Sequence, residues 1–355
     1  MPFPVPRQNL QRREKGSRNC PPDQEVPMPL VPKVQQKQTI ALIDSANLAF
    51  RFAHSFRGQT ITTSSGVDVS TGVIFGMFDT VWKLTDIYKL DQVFFVLEGP
   101  HDTNPRRSHP AYKSKRATSF SVDITSEMLL LRGLAPKLGI PVVVPVIGEA
   151  DDGIAFLTRK LRSQSNEILI CSGDHDMQVM LNKNIKIVKS ASKTGESSKS
   201  RTQEDFQTEF GFHPKYFSLF MAVTGDSSDC IPGIKGIGPK KGMAVFSNIL
   251  AAGLKLSPET ISAELIKTYP SIVSGSSAEY LSGLIKEYYS LTFIRNTWPI
   301  DVAVPQAPNI SKIKEAFETL KMRNFLRDIN SIYSKCRHFY SKWDAINSEL
   351  ARVGN

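Results

Sequence analysis

From Thr39 onward the chain alternates short apolar runs with longer amphipathic ones, and this alternation restricts the fold more than any other feature. Residues 40–43, 93–97, 142–147, 168–171 and 185–188 are apolar runs too short for helices, so they read as buried strands. Between them, residues 76–88, 126–138 and 151–161 carry helical spacing. Strand and helix in alternation predict an α/β fold: a mostly parallel central sheet flanked by helices. The segment 189–201, KSASKTGESSKSR, is Ser-rich and basic and reads as a surface loop.

Three of these strands run into acids at or just past their C-terminal ends. ALID ends on Asp44, VFFVLE on Glu98, and ILICSGDHD leads to Asp174 and Asp176. In an open α/β sheet such ends face one crevice. A fourth group, Glu149, Asp151 and Asp152 in GEADDGIAFL, stands where a helix begins, and capping by the helix dipole accounts for one or two of its members. It does not account for the convergence of the others, because carboxylates brought within a few ångströms resist ionising together. A cation must offset them. An oxygen-only set without His or Cys selects Mg²⁺ or Mn²⁺, and a crowd of this size suggests two ions about 4 Å apart. Asp226 and Asp229, in TGDSSDCIPG, extend the set. Singly, each acid reads as a solvated or capping residue; jointly they read as a metal centre.

Lys and Arg number 44 against 34 Asp and Glu, a formal charge of +10. Solubility alone is the plain explanation, but excess cations also suit a polyanion, whose counterions they release. Two clusters favour the second reading. In GDSSDCIPGIKGIGPKKG, Gly233, Gly236 and Gly238 permit a tight hairpin leading into a helix near Pro239, with Lys235, Lys240 and Lys241 beside it and no acid from Cys230 through Pro258. Such a turn captures phosphates without reading bases. Between Asp102 and Asp123, Arg106, Arg107, Lys113, Lys115 and Arg116 interleave with Tyr112, as a grip on a single strand would require. An ordinary helix connection and a solvated loop are the alternatives at these two places. No apolar run reaches a membrane span, and no secretory signal precedes the first strand. Cys20, Cys171, Cys230 and Cys336 lack disulfide or zinc spacing, so a cytoplasmic setting is expected.

The order of the motifs ALIDSANLAFRFAH, YKSKR, GEADD, SGDHDM and GDSSDCIPGIKGIGPKKG, from Thr39 to Ile329, resembles the 5′-nuclease family: flap endonucleases, 5′-3′ exonucleases and the nuclease domain of bacterial DNA polymerase I. The first motif, with Asn47, Phe50, Arg51 and Phe52, is most similar to the stand-alone bacteriophage enzymes, for which the host cytoplasm is the setting. The resemblance implies a resolvase-like or PIN-like nuclease core over 39–204 with a helical arch near 100–125. It also implies a helical region over 205–329 containing a helix-hairpin-helix, and a helical tail over 330–355. Residues 1–38, proline-rich and basic, read as a disordered arm.

By the same resemblance, Asp44, Glu98, Glu149, Asp151 and Asp152 serve mainly a first metal and Asp174, Asp176, Asp226 and Asp229 a second, with Asp151 as the bridge. Lys113 and Arg116 belong to the arch and assist the reaction, and Tyr112 stacks on a base. Arg51 and the hairpin with Gly233, Lys235, Gly236, Gly238, Lys240 and Lys241 hold DNA, and a K⁺ ion binds hairpin carbonyls. Where the family has Asp, this chain has Glu98, whose extra methylene displaces the carboxylate by about one C–C bond. The activity implied is Mg²⁺-dependent hydrolysis, by a monomer, near the 5′ ends of flaps, nicks, overhangs and RNA:DNA junctions, with Mn²⁺ as a substitute ion. Two other classes remain open: a DNA-junction protein without turnover, and a PIN-type RNA nuclease, which the helix-hairpin-helix disfavours.

Overall fold

The computed structural model describes residues 37–55, 60–62, 66, 68–110, 112–114, 124–162, 166–189 and 200–352. The arm expected over 1–38 therefore falls almost wholly outside the described residues, as does most of the basic loop over 189–201.

The chain runs β1 (Thr39–Asp44), α1 (Ser45–Ser55), a small antiparallel pair β2 (Thr60–Thr62) and β3 (Asp68–Ser70), then α2 (Thr71–Tyr88) and β4 (Gln92–Val96). It continues through α3 (Thr125–Leu134), β5 (Val142–Pro145), α4 (Ala150–Leu161), β6 (Glu167–Cys171) and β7 (Ile185–Val188). The helices α5 (Gln203–Phe210), α6 (Phe217–Thr224), α7 (Pro239–Ala251), α8 (Pro258–Thr268) and α9 (Ala278–Thr292) follow. Last come β8 (Ile300–Ala303), α10 (Ile310–Thr319), α11 (Arg323–Arg327) and α12 (Ile329–Arg352).

Six strands form one sheet in the order β7-β6-β1-β4-β5-β8, parallel except for β8. All five strands expected from the sequence are present. Side chains alternate across the pleat, so Ile40 and Leu42 of β1 enter one apolar layer with α4 and α6 to α9, while Ala41 and Ile43 enter the other with α1, α2 and α3. Each fully buried Leu, Ile or Phe contributes roughly 1.5–3 kcal/mol by leaving water. Strand order reverses at β1, with β6 on one side and β4 on the other. That is where an open sheet leaves a crevice beyond its strand ends.

The stretch 205–329, expected to be helical, also holds one strand, because β8 returns to the sheet and pairs antiparallel with β5, Val142 opposite Ala303. Its four residues sit at the sheet edge between Pro299 and Pro305, where proline is tolerated and the apolar signal is weak. From there the chain stays with the core. Ile313, Phe317 and Phe325 fill one layer, and α12 closes both, placing Cys336 and Phe339 in one and Trp343 and Ile346 in the other.

Candidate metal centre and its cationic border

Asp44 ends β1 and is 5% exposed. Its Oδ1 accepts the Asn47 N–H at 3.1 Å and its Oδ2 the Ser172 hydroxyl at 2.8 Å. Ser172 Oγ accepts the Asp174 N–H at 3.0 Å, and Asp174 Oδ1 accepts the Asp176 N–H at 3.0 Å. Gly173 N–H closes the set on Asn47 Oδ1 at 3.0 Å. The loops after the neighbouring strands β1 and β6 are thereby tied together. Asn47 and Ser172 have no role assigned from sequence; the DSAN and SGD stretches at the strand ends are their only signal.

Burial, aided by Glu98 and Asp174, pushes Asp44 up to about 7 despite its two hydrogen bonds. Asp151, in the first turn of α4, is raised well above the carboxylate range by burial and by Asp174, Asp44, Asp176 and Glu98. Asp176 is raised in the same way, by burial and by Asp174, Asp226 and Asp229. One oxygen each from Asp176, Asp226 and Asp229 lies within 4.8 Å of the others. The hairpin that carries the last two is closed by Asp226 and Ile231, which exchange backbone hydrogen bonds at 2.8 Å. Asp226 Oδ1 accepts both donors of Ser228, at 2.8 and 2.6 Å, but its Oδ2 is buried without a hydrogen-bond partner. A partnerless buried carboxylate oxygen among like charges fits a hard divalent cation, and an oxygen-only donor set suits Mg²⁺ or Mn²⁺.

Glu98 is exposed, and its longer side chain reaches the start of α4, where Oε2 accepts the Ala150 N–H at 3.1 Å. Glu149 and Asp152 point elsewhere. Glu149 binds Arg107 at 3.1 Å, Lys113 at 2.7 Å and the Tyr112 hydroxyl at 2.8 Å. Burial would raise its pKa, but the Lys113 ammonium, with Arg106 and Tyr112, holds it down at about 2. Asp152, 1% exposed, pairs with the buried Arg106 and accepts the N–H groups of Glu149 at 3.0 Å and Arg295 at 2.8 Å. Consecutive helical residues turn by about 100°, so the first turn of α4 presents Asp151 to one set of neighbours and Asp152 to another.

Residues 39–211 match the family model of the 5′-3′ exonuclease N-terminal, resolvase-like domain. This part of the chain is similar to the 5′-3′ exonuclease N-terminal domain. A 5′-3′ exonuclease of Aquifex aeolicus is 23% identical over 307 residues, covering 83% of this chain and 96% of that one. DNA polymerase I of Deinococcus radiodurans is 32% identical over 209 residues, 59% of this chain, and the chain spans only 21% of that polymerase. Flap endonuclease-1 of Methanococcus jannaschii shares the fold with a TM-score of 0.52 at 14% identity, over 86% of this chain and 94% of that one. Most of the chain is thus similar to a 5′-3′ exonuclease in sequence and to a flap endonuclease in fold.

Lys113 stands at the border of the acids, 3.6 Å from Asp229 Oδ1, with its backbone N–H on the Asp229 carbonyl at 2.8 Å. Its φ of +53° is the left-handed region, a costly conformation for a side chain with a Cβ. Tyr112 is 6% exposed with its hydroxyl on Glu149, so its ring is packed against the protein rather than offered to a base. Arg116 lies outside the described residues. Arg51 is exposed on α1, above the Phe52 ring.

The helix-hairpin-helix is formed by α6, residues 225–238 and α7. Gly233 has φ +65°, and a Cβ there would stand 2.3 Å from the Gly225 nitrogen, so only glycine closes this turn. Lys235 and Lys240 are exposed beside it, and Gly238 precedes Pro239 at the start of α7. Lys241 donates to the Gly236 carbonyl at 2.9 Å. Among the described residues no helix is long and apolar enough to cross a membrane.

Proposed function

We propose that the protein is a structure-specific 5′-nuclease that hydrolyses phosphodiester bonds near free 5′ ends. The observation that carries this reading is the gathering of Asp44, Asp151, Asp174, Asp176, Asp226 and Asp229 beside Lys113, with one buried carboxylate oxygen unsatisfied. Two divalent ions bound there, Mg²⁺ with Mn²⁺ as a substitute, would lower the pKa of a water and offset the charge that develops on the phosphoryl group.

Asp44, Glu98 and Asp151 would hold the first ion, and Asp174, Asp176, Asp226 and Asp229 the second. Glu149 and Asp152 contribute differently, by fixing the cations that border the site. Lys113, at that border, supplies electrophilic help to the scissile phosphate, and Arg116 is assigned the same role. Arg51 and the hairpin with Gly233, Lys235, Gly236, Gly238, Lys240 and Lys241 grip the duplex through its phosphates, with K⁺ as a ligand of the hairpin carbonyls. The substrate is DNA with a 5′ flap, nick or overhang, extended to RNA:DNA hybrids, cut by a monomer in replication or repair.

The test is cleavage of an end-labelled 5′ flap in Mg²⁺. Asp174→Ala should lower turnover by about a thousandfold or more while flap affinity is retained. Unchanged turnover would overturn the assignment, and wild-type protein that binds flaps without cutting them would favour a junction-binding role.

A further inference from the structure

A cavity of about 430 Å³ opens between the C-terminal half of α4, the segment before β7, the turn before α6 and the chain leaving α9. Arg159, Arg162, His213 and Lys215 line it, together with Phe293, which is 40% exposed. No Asp or Glu is among its lining residues. The described stretches that carry these lining residues, 153–162, 177–189, 210–225 and 288–300, contain no acid.

Cations gathered in a concave site without carboxylates raise one another's energy, unlike cations spread over a convex surface. The effect is visible at the rim. Burial and the neighbouring Lys215 lower the His213 pKa. The contacts that do hold these side chains are neutral: Arg159 donates to the Asn296 carbonyl at 2.8 Å, and Lys215 lies over the Tyr216 ring. Arg162 and Lys215 are exposed. An anion with several acceptor oxygens would answer this set, and an exposed aromatic beside it suits a planar base.

We propose that this cavity is a second phosphate-binding site that takes a nucleotide phosphate with its base against Phe293. Arg159 stands eight residues beyond Asp151 on α4, about 12 Å along the axis at 1.5 Å per residue. The cavity shares no lining residue with the carboxylates of the crevice. Two sources would present the same chemistry: a free nucleotide, or the terminal nucleotide of a strand.

The experiment is calorimetric titration of the full chain in EDTA, which silences the metal centre, with dTMP, inorganic phosphate and the 5′-phosphorylated tetranucleotide pdTTTT as probes. dTMP should bind more tightly than inorganic phosphate. The double variant Arg162→Ala, Lys215→Ala should weaken dTMP by roughly tenfold, and Phe293→Ala should weaken dTMP but not inorganic phosphate. Tighter binding of pdTTTT than of dTMP would assign the site to strand ends, and the reverse to free nucleotides. Equal dTMP binding by wild type and double variant, or no binding by either, would overturn the proposal. So would loss of binding in Lys240→Ala, Lys241→Ala alone, which would place the ligand at the hairpin. Flap cleavage in Mg²⁺, read separately, stays intact in the double variant, so failure here leaves the nuclease reading untouched.

Discussion

Two groups of acids border the start of α4 and behave in opposite ways. Asp44, Asp151 and Asp176 are pushed toward the neutral form by burial and by neighbouring carboxylates, whereas Glu149, two residues from Asp151, is held ionised by Lys113 and Arg106. Residue type and burial are similar in both groups. Burial raises all of them; at Glu149 the neighbouring cations outweigh it, whereas at Asp152 burial outweighs Arg106 and the carboxyl is raised. One group needs an added cation to ionise together; the other carries its cations within the chain.

The sharpest way to break this comparison is to neutralise one acid of each kind. Asp151→Asn should abolish flap cleavage, a loss of a thousandfold or more, and weaken Mn²⁺ binding measured by electron paramagnetic resonance. Glu149→Gln should cost about tenfold in turnover with Mn²⁺ affinity nearly kept. Equal loss of Mn²⁺ in the two variants would return Glu149 to the metal-binding set.

Next in size is Arg106→Met, which leaves the buried Asp152 without its partner and should destabilise the fold by about 3–5 kcal/mol in urea unfolding. A change below about 1 kcal/mol would mean that Asp152 is held by its N–H donors alone.

The two groups also predict opposite dependences on pH. A carboxyl raised in the folded state binds more protons there than in the unfolded chain, so metal-free stability should fall as pH rises from about 4 to about 7 through Asp44. Glu149, lowered to about 2, adds stability above about 4.5 that is lost as pH falls toward 2. Metal-free protein followed by thermal unfolding should therefore be most stable near pH 4 to 5, and Mg²⁺ should restore stability at pH 7. A rise in metal-free stability between pH 5 and 7 would contradict the crowding of the crevice.

The smallest expected effect concerns the cations that serve substrate alone. Lys240→Ala should weaken duplex binding evenly across sequences and reduce the salt slope by about one. A sequence-dependent loss would show that the hairpin reads bases.

Much of this was legible in the sequence. A strand that ends on Asp44 or just before Asp174 needs only local periodicity to be recognised, and parallel strands must place such ends along one edge. The hairpin glycines were legible for a similar reason, since Gly233 answers a purely local backbone demand. The edge strand β8 was not, because four residues between two prolines carry little apolar signal until β5 supplies the hydrogen bonds. Nor was the burial of Tyr112 against Glu149, a contact across 37 positions of the chain.

By itself, then, the sequence determined which side chains reach the catalytic edge, because strand period and strand ends are properties of short stretches. Only the tertiary structure decided which of those carboxylates meet one another and which meet Arg106, Arg107 and Lys113. Electrostatic interaction falls off with distance in space and is blind to separation along the chain. Until the segment after β4 folds back over α4, Glu149 and Asp151 are simply two acids in GEADD.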